Sequence, residues 1–385
     1  MQILKLLIKN SFRHKLRTSL TVLGITIAIL AFGLLRTVVS AWYAGVEASS
    51  ATRLITRNSI SIIFSLPLSY KEKIRQIPGV KNISYSYWFG GIYISEKNFI
   101  PNFAVDAKTV FELWPEFVLT EKQKNDFMRD RKACVAGKKV AAKYGWKIGD
   151  TITLKGTIFP GNWDFTLRGI YHGAQKGTDE TQFFFHWDYL NESLKKTYPN
   201  RADHVGWYVV GVKHPDLASE VAAAIDKTFK NSLAETLTET EKAFQQGFVS
   251  MTEAIVIAVR IVSFVVIGII MAVMANTMAM TARERIGEYA IMKTLGFGGW
   301  HIAGLIFGES LFIAAMGCAL GIAGTYPAAK AFGDAMSTYL PVFNVEKKTI
   351  YLDIAATLIV GIVAAVFPAW RAVKLRIADG LRRIG

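Results

Sequence analysis

Charged side chains concentrate between two apolar runs, in Thr281–Phe297, TARERIGEYAIMKTLGF. Arg283, Glu284, Arg285, Glu288 and Lys293 supply the charge, Ile286, Tyr289, Ala290 and Ile291 keep an apolar face around Gly287, and Gly296 closes the stretch. That pattern suits binding rather than bond-making. A short amphipathic rod can pack one face on a membrane domain and dock the other in a groove on a soluble partner, or simply hold two helices apart. Residue types that carry out catalysis are present without the necessary spacing. Gly156 and Gly161 have the separation of a phosphate-binding loop, but Asn162 and Trp163 follow where that loop needs Lys and Ser or Thr. There is no G-x-S-x-G elbow and no H-E-x-x-H zinc motif. His172, His186, His204 and His214 are scattered without ligand spacing. The expectation is a chain that is not an enzyme by itself, with no metal and no cofactor of its own.

The elements that position this rod are apolar. Of the 385 residues 51% are hydrophobic and 19% charged, and the mean hydropathy is +0.28. That balance excludes a disordered chain, and two cysteines exclude a disulfide scaffold. Uncharged runs at Thr18–Leu35, Ile261–Ala282 and Ile354–Trp370, and a run at Trp300–Ala329 whose sole acid is Glu309, are each long enough to cross about 30 Å of hydrocarbon as a helix. They predict four membrane spans, at 18–42, 256–281, 300–328 and 350–371. The net charge of +15 sits beside these spans, which excludes a nucleic-acid stripe. Lys5, Lys9, Arg13, Lys15 and Arg17 precede the first span, Arg283, Arg285 and Lys293 separate the second and third, and Arg371, Lys374, Arg376, Arg382 and Arg383 follow the fourth. The positive-inside rule makes all three segments cytoplasmic, with both termini inside. Residues 1–17 read as an amphipathic helix on the inner membrane surface, 329–349 as an outer loop and 372–385 as a cytoplasmic tail.

Residues 43–254 then form one large extracytoplasmic domain of mixed α and β character. Ile60–Leu66, Tyr85–Ile94, Cys134–Ala136, Thr151–Leu154 paired with Phe165–Tyr171, and Val205–Lys213 read as strands. Ser69 and Glu72 form a candidate capping box. Lys138–Tyr144 reads as a helix, and Leu217, Val221, Ile225 and Phe229 keep a helical stripe. Thr236–Glu253 reads as a helical stalk continuing the second span. The aromatic run Tyr85–Tyr93 suits either strand packing or the gripping of an apolar cargo.

Inside the membrane, Glu309 lies roughly 13 Å into the third span at 1.5 Å per residue, where a carboxylate invites a structural bond, within the bundle or to the charged rod, or an ion-transport role. Gly317, Gly321 and Gly324 form a small-residue face compatible with dimerisation or with packing inside the bundle. Arg36, Arg260 and Asp353 fall near outer ends, where arginines can snorkel to headgroups.

The stretch RERIGEYAIMKTLGF resembles the coupling-helix signature of MacB/FtsX-type ABC transporter permeases. KNSFRHKLRTSLTVLGITIAI resembles that family's basic helix and first span, and FPAWRAVKLRIADGLR its closing segment, with Ala378 where proline is common. IRQIPGVKNIS and ACVAGKKVAAKYGWKIGDTITLKG resemble the MacB-like periplasmic core. The resemblance implies four transmembrane helices with a large α+β extracytoplasmic domain inserted between the first and second, in a bacterial inner membrane. It implies that ATP and Mg are bound by a separate ABC ATPase subunit engaging Arg283, Glu284, Arg285, Ile286, Gly287, Glu288, Lys293 and Gly296. It also implies a second permease subunit, identical or related, and leaves room for a periplasmic adaptor. MacB itself carries a fused ATPase and this chain has none. The implied function is export or extraction of a substrate by mechanotransmission; the alternative is a non-transporting transmitter that activates an extracytoplasmic enzyme.

Overall fold

The computed structural model describes residues 13–175, 177–336 and 340–376. The described residues divide into two compact units. One contains the chain up to Ala41, Glu253–Asp334 and the chain from Phe343; the other contains Trp42–Thr252 and Ala335–Val342. Most of the amphipathic helix expected over 1–17, and most of the 372–385 tail, lie outside the described residues.

The second unit is built on strands β1 (Arg53–Asn58), β2 (Leu66–Pro67), β3 (Val80–Trp88), β4 (Gly91–Ile92), β5 (Asn102–Val105), β6 (Phe117–Val118), β7 (Ala133–Gly137), β8 (Thr151–Gly156), β9 (Gly161–Gly173), β10 (Phe183–His186), β11 (His204–Val205), β12 (Trp207–Val212) and β13 (Thr236–Thr240). Its main sheet runs β13-β1-β12-β3-β5-β10-β7-β9-β8-β4, with β6 pairing β9, and β2 pairs β11 separately. Pairing is antiparallel except for β5–β10 and β7–β9. In β8 burial alternates perfectly, so one face is dry and the other wet. The dry side is aromatic: Phe165 and Phe185 meet at 4.5 Å, and Phe89 lies edge-on to Phe185 at 5.1 Å. Tyr85 is buried against Trp187. The Tyr85–Tyr93 run thus forms strand and core packing, and its buried rings leave no gripping surface at Tyr85 or Phe89.

Helices of this unit are α2 (Tyr70–Arg75), α3 (Val110–Leu113), α4 (Glu121–Arg129), α5 (Lys138–Tyr144), α6 (Trp187–Thr197), α7 (Ala218–Thr228) and α8 (Glu241–Met251); α1 (Lys15–Ala48) enters it from the first unit. Three sequence expectations are corrected. Ile60–Leu66 is largely loop, with Ile60 and Ile63 exposed; the strand lies earlier, at β1. Ser69 makes no side-chain cap on α2, whereas Thr120 and Gln123 form a reciprocal capping box on α4. Thr236–Thr240 is not stalk helix but an edge strand, pairing with β1 from Leu54↔Thr240 to Asn58↔Thr236. Helix resumes at α8, capped by Thr240, and breaks at Thr252.

The first unit consists of four helices long and apolar enough to cross a membrane, among the described residues: α1, α9 (Glu253–Glu284), α11 (Gly299–Ala335) and α12 (Lys347–Lys374). A short helix, α10 (Ile286–Thr294), joins α9 to α11. Their exposed faces carry Leu20, Leu23, Ile27, Ile261, Phe264, Ile269, Leu358, Ile362 and Phe367, a lipid-compatible surface. Ile25, Ile29, Ile270, Met274, Ile306, Ile313, Val360 and Ala364 fill the interior. The glycine face of α11 packs inside this bundle. A Cβ on Gly317 would lie 2.6 Å from Ile25 Cβ, and one on Gly321 2.8 Å from Ile29 Cβ, so both glycines are filled by α1 of the same chain. At Gly324 the neighbour is the flexible tip of Leu30, at 3.0 Å.

Candidate functional site

α9 ends because Arg285 leaves the helical conformation, turning the chain so that α10 begins a new axis at Ile286. Gly296 stops α10: its φ of +90° suits glycine, and Phe297 N donates to Met292 O while Gly296 N donates to Lys293 O. Of the residues expected on the rod, Ile286, Gly287, Glu288 and Lys293 lie on α10, Arg283 and Glu284 form the last turn of α9, Arg285 is the corner and Gly296 the terminus.

The charged residues of this stretch have divergent roles. Arg285 is buried, its side chain 9% exposed, and Nη1 donates to Glu309 Oε2 at 2.8 Å on α11. Its Nε donates to Glu288 Oε2 at 3.1 Å, and the guanidinium stacks 5.5 Å from the Tyr289 ring centre. Burial opposes the charge, but Tyr289, Glu309 and Glu288 outweigh it, so the guanidinium is held above its usual value. Burial also pushes the Tyr289 phenol up to about 12. Partial burial works against the Glu288 carboxylate, but hydrogen bonds from Arg13 and Arg285 hold its pKa below the ordinary value.

Two contacts tie the corner to the start of α1. Arg13 pairs with Glu288. Arg17 makes a two-pronged bond with Glu284, Nη1 and Nη2 each 2.7 Å from a carboxylate oxygen. On the opposite side, Lys293 Nζ donates to Val373 O at 2.8 Å and Leu375 O at 2.7 Å, capping carbonyls at the end of α12. The corner and α10 are thereby bonded to α1, α11 and α12 together.

The remaining surface is open. Arg283 is exposed, as are Ile291, Leu295, Phe297 and Trp300. A cavity of ≈ 660 Å³ lies between the end of α9, α10 and the end of α12, lined by Arg283, Ile286, Tyr289, Phe367 and Arg371 among others. Arg371 covers the Phe367 ring at 4.9 Å and Lys374 the Trp370 ring at 4.4 Å.

Within the second unit, the chain's entrance and exit are stapled in a way the sequence does not announce. Trp42 Nε1 donates to Thr252 Oγ1 at 2.7 Å, and Gly45 faces Gln245. Arg53, 5% exposed, binds Glu241 at 2.8 Å, Glu116 at 2.6 Å and the Leu113 carbonyl at 2.8 Å. The only available signal was an arginine at the head of an apolar strand; its partners lie 63 and 188 residues away.

Two family models match this chain: "FtsX-like permease C-terminal" over residues 260–378 and "MacB-like periplasmic core domain" over residues 18–228. The chain belongs to the MacB/FtsX-type ABC transporter permease family. An uncharacterized ABC transporter permease of Methanocaldococcus jannaschii is 24% identical over 400 residues, covering 97% of this chain and 96% of the relative. Among solved structures, the periplasmic region of MacB from Actinobacillus actinomycetemcomitans covers 53% of this chain and 95% of its own, with 8% identity and a TM-score of 0.38. The extracellular domain of the noncanonic ABC-type transporter YknZ from Gram-positive bacteria covers 49% and 100%, with 12% identity and a TM-score of 0.35. In this MacB/FtsX-type permease the FtsX-like match takes in α10, α11, α12 and most of α9, and the MacB-like match spans α1 through α7.

Proposed function

We propose that this permease is the transmembrane subunit of an ABC transporter in which a separate ATPase subunit pushes on α10 and the permease passes that movement to its extracytoplasmic domain. The bonding of the corner and α10 to three membrane helices supports this most directly. A load on the corner and α10 is shared through Glu284 with α1, through Glu288 with Arg13 just before α1, through Arg285 with α11 and through Lys293 with α12. The exposed set Arg283, Ile291, Leu295 and Phe297, beside the ≈ 660 Å³ cavity, offers a partner an apolar patch with basic margins. ATP and Mg belong to the ATPase in this reading, and the chain contributes no catalytic group. Both termini and α10 are cytoplasmic, the membrane is a bacterial inner membrane, and permeases act in pairs, one ATPase to each α10.

The work done outside is export or extraction of a substrate by conformational change in the extracytoplasmic domain. Activation of an extracytoplasmic enzyme or partner uses the same connections without transport. Co-purification of the full chain with its ATPase tests the coupling surface. R283E and L295D release the ATPase while leaving the thermal unfolding of the permease unchanged. An ATPase that stays bound to both variants contradicts the reading.

A further inference from the structure

Asp353, in the second turn of α12, has 0% of its surface exposed, and neither carboxylate oxygen has a hydrogen-bond partner. Three helices meet there. A Cβ on Gly33 of α1 would lie 3.3 Å from Asp353 Oδ2 and 3.1 Å from Thr325 Oγ1 of α11, so the carboxylate packs closely against a position without a side chain.

The neighbouring hydroxyls do not serve it. Thr37 donates to Gly33 O at 2.7 Å, Thr325 to Gly321 O at 2.8 Å, and Thr357 to Asp353's own main-chain oxygen at 2.8 Å. Each proton is committed to a carbonyl of its own helix, which leaves oxygen lone pairs around a carboxylate. Such a site calls for positive charge.

Arg36 meets that demand. It follows Gly33 by three residues, which places it on the same face of α1, about 4.5 Å further along the axis. Its Nε is buried and without a partner. Arg260, in contrast, is exposed and free to reach headgroups. A buried carboxylate without a partner and an arginine whose Nε is buried and unbonded therefore flank one helix contact, and pairing them satisfies both.

We propose that Arg36 and Asp353 form an intramembrane ion pair in a second arrangement of this bundle, a latch between α1 and α12. The structure holds the latch open, with Arg36 and Asp353 unpaired. Closing it draws the outer part of α1 onto α12 through a guanidinium–carboxylate contact. The inference stands independently of which ATPase or substrate the permease serves.

A double-mutant cycle on the full chain in lipid nanodiscs tests it by thermal unfolding. The combined shift of R36Q/D353N departs from the sum of the R36Q and D353N shifts, and the swap R36D/D353R melts above R36D and D353R alone. Where a neutral variant fails to fold, R36K and D353E replace it, again with a combined shift that departs from the sum. Additive shifts, or a swap no better than its parents, would overturn the latch.

Discussion

Neighbouring arginines 283 and 285 look alike in sequence and differ in what they touch. Arg283 is exposed, whereas Arg285 is buried against Glu309. Removing one partner of a buried ion pair leaves the other charge stranded, a loss of about 3–5 kcal/mol. E309A and R285A are therefore expected to lower the thermal stability of the solubilised permease by that order, and R285M/E309L by clearly less. Arg285 is for the same reason unsuited to a surface charge reversal, because R285E would disrupt the bundle before it reported on any partner. In the outer domain His186 is the residue to watch. Its Nε2 lies 2.6 Å from the Phe127 carbonyl, and burial holds its pKa below the ordinary 6.5. A lowered folded value means that the unfolded chain binds the proton more readily. Stability from this group is complete above the unfolded value near 6.5 and is lost as pH falls through the window down to the folded value. Thermal unfolding followed by tryptophan fluorescence should show that loss, and H186N should flatten it.

Elements were legible where local pattern and tertiary environment agree. The strand–helix pair at Ala133–Tyr144, the hairpin of β8 and β9, and the helical stripe of α7 follow directly from alternation or periodicity. β1 and β13 did not, because their polar positions are satisfied from afar. Arg53 is neutralised by Glu116 and Glu241, and Thr56 by Thr238. A run such as Thr236–Thr240 becomes a strand only because β1 presents an edge to it. The same distance hides the candidate site. The sequence offers the charged rod as one place for Glu309 to bond, but only folding singles out Arg285, at 2.8 Å, as its partner. Helix contacts carry a graded prediction. G317V and G321V force a side chain into Ile25 and Ile29 and should each lower bundle stability by about 1–3 kcal/mol. G324A meets only the mobile tip of Leu30 and should be nearly silent in the same melt.

Across the whole molecule, two of the chain's crossings between its units, after Ala41 and after Thr252, are held within the second unit by the Trp42–Thr252 bond and the Arg53 cluster. Arg53 joins β1 to Glu241 at the head of α8 and to Glu116. R53L leaves two carboxylates facing each other without their cation and should lower the stability of the outer domain by about 3–5 kcal/mol in a tryptophan-monitored melt. If the staples transmit movement, T252V should leave stability nearly unchanged while weakening any ATP-driven change measured outside.

The central claim is that α10 lies under the bilayer, where an ATPase can reach it. Leu295 is 72% exposed at its end, and the native thiols Cys134 and Cys318 are buried. L295C should therefore react with a membrane-impermeant thiol reagent in inside-out vesicles and stay unlabelled in intact cells. Labelling of L295C from outside intact cells would contradict the account.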